Sequence, residues 1–240
     1  MSDAGDPLLD ISDLAVNYGA LPVLRNVSLQ VQQGEVVGVL GPNGHGKTTL
    51  LRTVSGLVKQ GKGSIRFSGV DISAVAADRR RRLGVAHVPQ GDLLFHDMSV
   101  EENMAAGAYY NWRNRQSQIS EVLSLFPELR NRRSAQAATL SGGERRLLAI
   151  ARAIMTPAKI LLVDEPSIGL SPSAITRVYE ILRLLRQNGG TIFLVEETLT
   201  RLAGFADRVY LIDHGQIVAE TTPVSLAEDT RLGKIYLGEI

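Results

Sequence analysis

The chain contains no cysteine and few aromatic residues, and its charges almost cancel. The absence of cysteine excludes disulfide bonds, cysteine-ligated zinc and thiol catalysis. With 26 Lys and Arg residues against 25 Asp and Glu residues, the formal net charge is +1, so bulk electrostatics does not predict binding to nucleic acid or to an anionic membrane. The longest apolar runs, such as Val36–Leu40 and 160–163, are far shorter than the roughly 18 residues that a membrane-spanning helix needs. We therefore expect any role at a membrane to require a partner.

The hydrophobic pattern predicts an α/β fold class. Runs 8–16 and 28–31 alternate apolar and polar residues, which indicates half-buried strands near the N-terminus. Continuous apolar runs at Val36–Leu40, 160–163 and 191–195 indicate buried parallel strands, and helical periodicity follows them, at 47–57 and 173–186 among other places. The mostly helical stretch 99–155 predicts a helical subdomain at about residues 92–155, inside a single domain of residues 1–240.

A glycine-rich segment at residues 41–48 reads GPNGHGKT and matches the phosphate-loop pattern G-x-x-x-x-G-K-[ST]. Its glycines let successive backbone N–H groups turn towards a phosphate, and the helix that follows directs its positive end at the same anion. A glycine-rich turn that fits by chance is a poor alternative, because a buried strand precedes the segment and a helix follows it. We predict that Lys47 neutralises β- and γ-phosphate oxygens and that Thr48 offers a hydroxyl to Mg²⁺. The predicted nucleotide-binding residues here are Gly41, Pro42, Asn43, Gly44, His45, Gly46, Lys47, Thr48 and Thr49.

Two acidic residues, Asp164 and Glu165, directly follow the apolar run 160–163. Ligands of parallel α/β sheets bind at this end of the strands. We predict that Asp164 holds Mg²⁺ through its water shell and that Glu165 polarises or deprotonates the attacking water. If this acidic pair were the only motif, a role in capping the next helix would be as reasonable as a catalytic role. Beside a matched phosphate loop, phosphoryl chemistry is the better interpretation.

The segment 140–144 reads LSGGE and precedes an amphipathic run. Ser141 is a plausible helix N-cap, and the glycines Gly142 and Gly143 expose the amides of the first turn, which is again a phosphate-binding arrangement. Taken alone, the segment is better interpreted as a plain helix cap.

Placed between the two other motifs, this LSGGE string resembles the signature of the ATP-binding-cassette ATPases, and the resemblance covers nearly the whole chain. It implies a phosphate-loop NTPase core with an N-terminal antiparallel β subdomain and an inserted α-helical subdomain. It also implies that two cassettes pair head to tail, with each ATP lying between the phosphate loop of one chain and Ser141 and Gly143 of the other. Tyr18 resembles the aromatic residue that stacks on adenine, and Gln90 resembles the loop glutamine that senses Mg²⁺ and the γ-phosphate.

Three segments, VEEN at 100–103, LSGGERRLLAIARAIM at 140–155 and DEPSIGLSP at 164–172, resemble the branched-chain or hydrophobic amino-acid uptake ATPases. This resemblance implies the ATP-hydrolysing motor of an importer at the cytoplasmic face of the cell membrane. The implied partners are a second ATPase subunit, identical or different, two membrane-spanning permease subunits and, indirectly, an extracytoplasmic solute-binding protein, with no nucleic acid. Alternatives are another transport system of the family, a cassette ATPase for DNA repair or ribosome work, and a weakly hydrolysing regulatory subunit paired with an active ATPase.

Two residues depart from the family pattern. Glu197 stands where the family usually has a histidine that contacts the γ-phosphate, and a carboxylate there cannot donate a hydrogen bond unless protonated. Ser171 stands where an aspartate usually bridges the two sites. His45 and His96 have no partner at metal-ligand spacing, so we interpret them as solvent-facing. The four arginines at 79–82 are interpreted as a solvated helix end.

Overall fold

The structure is a computed structural model that describes residues 6–91 and 93–229. Its N-terminal sheet is antiparallel and has the strand order β2-β1-β4-β5. Alternate residues of the longer strands are buried beneath it, as the apolar-polar alternation predicts. The four strands are β1 (Leu9–Tyr18), β2 (Leu21–Val31), β4 (Lys62–Phe67) and β5 (Val70–Asp71).

The central sheet has six strands in the order β10-β9-β3-β8-β7-β6. Five of them run parallel, and the edge strand β10 is antiparallel to its neighbour. Because β3, β8 and β7 are neighbours, the segments that follow them meet at one edge of the sheet. The six strands are β3 (Val36–Leu40), β6 (Val85–Val88), β7 (Ile160–Asp164), β8 (Thr191–Glu196), β9 (Arg208–Asp213) and β10 (Gln216–Thr221).

Both faces of the central sheet are covered, which explains the continuous apolar runs of its strands. On β7, Ile160 and Leu162 face a core shared with the N-terminal sheet and the first helix, whereas Leu161 and Val163 face a core shared with the later helices. The helices are α1 (Lys47–Val54), α2 (Ala77–Leu83), α3 (Val100–Gly107), α4 (Arg115–Leu125), α5 (Pro127–Arg130), α6 (Gly142–Ile154), α7 (Pro172–Gln187), α8 (Leu199–Leu202) and α9 (Pro223–Glu228).

The predicted helical subdomain falls on α3 to α6, with short 3-10 helices at Tyr109–Asn114 and Ala137–Thr139. Asp92, its predicted first residue, lies outside the described residues, and the division into subdomains stays a prediction. At its start, the buried side chain of Asn103 accepts a hydrogen bond from the backbone N–H of Phe95 at 2.9 Å and donates to the Phe95 and Ser99 carbonyls. Asn103 therefore fastens the loop 95–99 to α3. Among the described residues, no helix combines the length and apolarity that crossing a membrane would demand.

The interpretation of residues 79–82 as a solvated helix end is wrong for Arg80, which is 3% exposed. Its guanidinium donates to the carbonyls of Thr53 and Val54, at the end of α1, and to those of Ser73 and Val75. The carbonyls in the last turn of a helix have no partner inside the helix, and a planar five-donor group can satisfy several of them at once. Arg80 therefore joins the end of α1 to the segment 73–75.

Arg80→Met should lower the free energy of unfolding by about 3 kcal/mol, because several buried carbonyls would lose their donor. Denaturant unfolding followed by circular dichroism measures the change. Arg79→Met is the matched control: Arg79 is exposed on the same helix, and its replacement should stay within about 0.5 kcal/mol of the parent. Equal losses in the two variants would contradict the structural role of Arg80.

Candidate functional site

The phosphate loop connects β3 to α1 and is shaped by its glycines. Gly44 and Gly46 have φ angles of +81° and +101°, which residues with a Cβ atom rarely adopt. A Cβ on Gly41 would come within 2.4 Å of the backbone oxygen of Ile212, so only glycine fits this approach to β9. The loop consequently curls back over the end of β3, with the N-terminus of α1 beneath it.

Lys47 is the first residue of α1 and is 3% exposed. Its ammonium donates to the carbonyl oxygens of Gly41 at 2.7 Å and Pro42 at 3.2 Å. It also forms an ion pair with the Glu165 carboxylate, with 3.1 Å between Nζ and Oε1. The cation is therefore held at the centre of the loop, where an entering phosphate would compete with Glu165 for it.

The carboxylates of Asp164 and Glu165 are both buried at the end of β7. The Thr48 hydroxyl donates to Asp164 Oδ1 at 3.1 Å, and burial raises the pKa of Asp164. Gln90 Nε2 donates to Glu165 Oε2 at 2.9 Å. Of the predicted catalytic residues, Lys47 and Gln90 therefore each contact Glu165 directly.

The other oxygen of Asp164, Oδ2, is buried and has no hydrogen-bond partner within the described part of the chain. Buried carboxylate oxygens are normally paired, so an orphaned one needs an explanation. The Thr48 hydroxyl and the Gln90 side chain lie beside the same two acidic residues. Oxygen donors of this kind suit Mg²⁺, which prefers a few carboxylate or hydroxyl ligands together with water and phosphate oxygens.

Thr48, Gln90 and Glu165 line a cavity of about 290 Å³ above the N-terminus of α1, whereas Asp164 is not among its lining residues. Val23 lines it but was missed from the sequence, because the pattern predicts a strand only from residue 28 whereas β2 begins at Leu21. Tyr18 is 48% exposed at the end of β1 and is not among the lining residues. The cavity is lined by Val23, Asn43, Gly44, Gly46, Lys47, Thr48, Thr49, Gln90 and Glu165.

Ser141 is the N-cap of α6, as the sequence predicts. Its hydroxyl accepts a hydrogen bond from the Glu144 N–H at 3.3 Å, and Glu144 Oε2 accepts one from the Ser141 N–H at 2.8 Å, which completes a capping box. Ser141, Gly142 and Gly143 line a second cavity of about 400 Å³, together with Ser171. Within one chain the signature residues and the phosphate loop therefore line different cavities.

Arg146, on α6, is a further residue that the sequence reasoning missed. Its guanidinium is 3% exposed and donates to the carbonyl oxygens of Pro89, Gly91 and Glu165, at 2.9, 2.6 and 3.2 Å. It thereby joins the signature helix to the loop that carries Gln90 and to the backbone of Glu165. The only signal in the sequence is an arginine within an otherwise apolar helix face.

The interpretation of His45 as solvent-facing is wrong. Its Nδ1 lies 2.9 Å from Asp213 Oδ1 and its ring stacks on that of His214, with 4.5 Å between centroids. His45, Asp213 and His214 offer ligand atoms within 4.8 Å of one another, but His45 Nδ1 already accepts a hydrogen bond from the His214 backbone N–H at 3.2 Å. The contacts fasten the phosphate loop to the β9–β10 turn, and they join residues too far apart in the sequence for a spacing rule to detect.

Glu197 is exposed directly after β8, and its Oε1 accepts a hydrogen bond from Asn43 Nδ2 at 2.8 Å. Asn43 Oδ1 in turn accepts a hydrogen bond from the Lys47 ammonium at 3.4 Å. Glu197, one of the two residues that depart from the family pattern, therefore lies at the rim of the phosphate loop, where the Asn43 amide binds its carboxylate.

Comparison with known proteins agrees with this geometry. The profile of the ABC transporter family matches residues 24–168, more than half of the chain. The chain is 39% identical to the high-affinity branched-chain amino acid transport ATP-binding protein BraG of Pseudomonas aeruginosa, over 96% of this chain and 100% of that protein. It is 33% identical to the lipopolysaccharide export system ATP-binding protein LptB of Escherichia coli, over 96% and 97%.

Among solved structures, a nucleotide-free ATP-binding cassette from an ABC transporter superposes with a TM-score of 0.87 and 26% identity, over 98% of this chain and 100% of that one. This likeness confirms the predicted phosphate-loop NTPase fold. The chain belongs to the ABC transporter family, as one of its nucleotide-binding, ATP-hydrolysing subunits.

Proposed function

We propose that the chain is the ATP-hydrolysing motor of an importer for branched-chain amino acids or related small solutes. The observation that carries the ATPase part is the contact of Glu165 with both Lys47 and Gln90, beside Asp164 and Thr48. The observation that favours this cargo is the 39% identity to a branched-chain amino acid transport protein along nearly the whole chain.

In the proposed reaction, the backbone amides of the loop 41–46 and the Lys47 ammonium bind the β- and γ-phosphates of ATP. Thr48, Asp164 and Gln90 would hold Mg²⁺, which would neutralise phosphate charge. When Lys47 turns from Glu165 to the γ-phosphate, the carboxylate loses its cation and becomes free to accept a proton from the attacking water. Gln90 keeps that carboxylate oriented through its amide. Tyr18 is proposed to stack on adenine from the exposed end of β1.

Two copies, or this chain and a different ATPase subunit, are proposed to complete each site. The separation of the signature cavity from the phosphate-loop cavity supports this proposal, because Ser141, Gly142 and Gly143 present helix N-terminal amides away from the phosphate loop of their own chain. Amides at a helix N-terminus stabilise an anion. A second chain arranged head to tail would bring them to the γ-phosphate.

A groove of about 460 Å³ is the proposed docking site for a permease subunit. Exposed apolar patches mark interaction surfaces. Five exposed apolar or aromatic residues line the groove: Leu57, Leu93, Phe95, Tyr109 and Tyr110. The groove also reaches Pro89, next to Gln90. A segment held there would touch the loop whose glutamine contacts Glu165. The chain would thus lie at the cytoplasmic face of the membrane through its permeases, with an extracytoplasmic solute-binding protein joining them.

The test is uptake of labelled leucine, isoleucine and valine by cells that lack the chain and receive either the parent or Glu165→Gln. We expect the parent to restore uptake and the variant, at equal expression, to leave it at the level of the deletion. Normal uptake of leucine, isoleucine and valine in the deletion strain would contradict the proposal that these amino acids are the cargo. An outer-membrane lipopolysaccharide defect in that strain would instead favour export, the candidate raised by the 33% identity to LptB.

A weakly hydrolysing regulatory subunit is a second candidate function, favoured by Glu197 at the rim of the phosphate loop. An extra anion there opposes phosphoryl transfer. The purified chain separates the two candidates, since a motor hydrolyses ATP at a rate that rises with protein concentration. ATP binding without turnover at any concentration fits either a regulatory subunit or a motor that needs a different ATPase subunit. Glu165→Gln in this chain then separates the two within the assembled complex, because it abolishes the turnover of a complex in which this chain is a motor and leaves turnover nearly unchanged where this chain is regulatory.

A further inference from the structure

Glu196 is a buried carboxylate at the end of β8 to which the proposed reaction gives no role. It is 2% exposed. Its Oε1 accepts a hydrogen bond from the Tyr179 hydroxyl at 2.7 Å, and its Oε2 accepts one from the Ser167 hydroxyl at 3.0 Å. Burial raises the pKa of Glu196, and these two donors oppose the rise. Acidic side chains are seldom fully buried unless paired. The places of the two donors in the fold therefore show which segments Glu196 joins.

Ser167 lies two residues after Glu165, and Tyr179 lies on α7, whose N-cap is Ser171. The loop 166–171 therefore leaves the catalytic cavity at Glu165 and reaches the signature cavity at Ser171. Glu196 lies on β8, the strand beside β7. Its carboxylate accepts a hydrogen bond from Ser167, near the start of this loop, and one from Tyr179, on the helix that follows the loop.

The backbone of Glu165 itself has to be held in place. Its φ angle is +43°, in the left-handed region, which is unfavourable for a residue with a Cβ atom and persists only where neighbouring contacts impose it. The Glu165 N–H donates to the Val195 carbonyl at 3.1 Å, and the Ile168 N–H donates to the Glu165 carbonyl at 3.3 Å. The bond from Ser167 to Glu196 lies between these two contacts and joins the same turn to β8.

We propose that Glu196 is a positioning residue for ATP hydrolysis: through Ser167 and Tyr179 it fixes the loop 166–171, and thereby the place of Glu165 and of the rim of the signature cavity. The inference rests on the proposed role of Glu165 as the base. The simpler explanation is that Glu196 only satisfies the buried Tyr179 hydroxyl, in which case the bond to Ser167 is dispensable for turnover.

Ser167→Ala separates these explanations, because it removes one hydroxyl from the loop and leaves the pair of Tyr179 and Glu196 intact. We expect kcat for ATP to fall roughly tenfold with KM within about twofold, since misplacement of a reacting group lowers the chemical step more than binding. Amide hydrogen exchange should quicken in residues 165–171 and remain unchanged on α1 and the phosphate loop. Ser120→Ala, which removes an exposed hydroxyl bonded within α4, is the matched control and should change neither quantity.

Two further variants, Glu196→Gln and the double variant Ser167→Ala with Glu196→Gln, complete a double-mutant cycle. If both residues act through one bond, the double variant should be no slower than the slower single variant. Unchanged kcat and unchanged exchange in 165–171 for Ser167→Ala, with loss of stability confined to Tyr179→Phe and Glu196→Gln, would overturn the proposal. Wild-type turnover in Glu165→Gln would instead remove the proposed base, whereas the exchange data would still report whether Glu196 anchors the loop.

Discussion

Glu165→Gln should lower ATP turnover by at least about 100-fold while ATP still binds, because an amide occupies the same space but cannot accept the proton of the attacking water. The variant also removes the anion that pairs with Lys47. The Lys47 ammonium can then bind a phosphate of ATP without first breaking an ion pair with residue 165. We therefore expect the variant to bind ATP at least as tightly as the parent. Bound ATP that is not hydrolysed should accumulate between two chains.

Steady-state phosphate release, equilibrium ATP binding and light scattering with and without ATP measure these three effects. Glu121→Gln, an exposed position on α4, is the matched control and should behave as the parent in all three. Full hydrolysis in Glu165→Gln would assign the base to another residue. Loss of ATP binding together with turnover would show that Glu165 supports the site structurally instead.

Lys47→Ala should lower kcat/KM for ATP by about 100- to 1,000-fold, because a buried cation aimed at the developing charge is removed from a site of low dielectric. The variant should also be less stable than the parent, since the Glu165 carboxylate is left buried beside the carbonyl oxygens of Gly41 and Pro42 without its cation. The two effects have different origins and can be separated.

A double variant makes the separation. Adding Glu165→Gln to Lys47→Ala should recover thermal stability, because the unpaired charge is gone, but should not recover ATP binding. Thermal unfolding and equilibrium nucleotide binding report the two quantities independently. Lys59→Ala, at an exposed position after α1, serves as the control for loss of one positive charge. Persistent tight ATP binding in Lys47→Ala would contradict the assignment of this ammonium to the phosphates.

The parts of the fold that the sequence predicted are those determined by local pattern. The phosphate loop, its strand and the start of α1 follow from glycine positions and from a run of apolar residues, and the capping box of Ser141 and Glu144 follows from spacing. Element ends were less accurate: α1 ends at Val54 rather than at 57, and β2 begins at Leu21 rather than at 28.

The residues that the sequence did not predict act across long separations. Arg80 and Arg146 belong to basic or mixed segments, and only the folded chain shows that each guanidinium satisfies carbonyl oxygens on other elements. The interpretation of His45 was wrong for the same reason, since its partners are the last residue of β9 and the residue directly after it. Glu196 and Glu197 are adjacent in sequence, yet one is buried beneath α7 and the other reaches the phosphate loop.

The ion pair between Lys47 and Glu165 also bears on which anions the phosphate-loop cavity admits. The Lys47 ammonium in this cavity already has a counter-ion in Glu165, so the cavity offers an anion little net attraction. An anion that enters must first separate this buried pair. Free phosphate has too few other contacts to offset that cost. ATP adds the base, the sugar and two further phosphates, so the self-neutralised site discriminates against the small anions of the cell and binds the whole nucleotide.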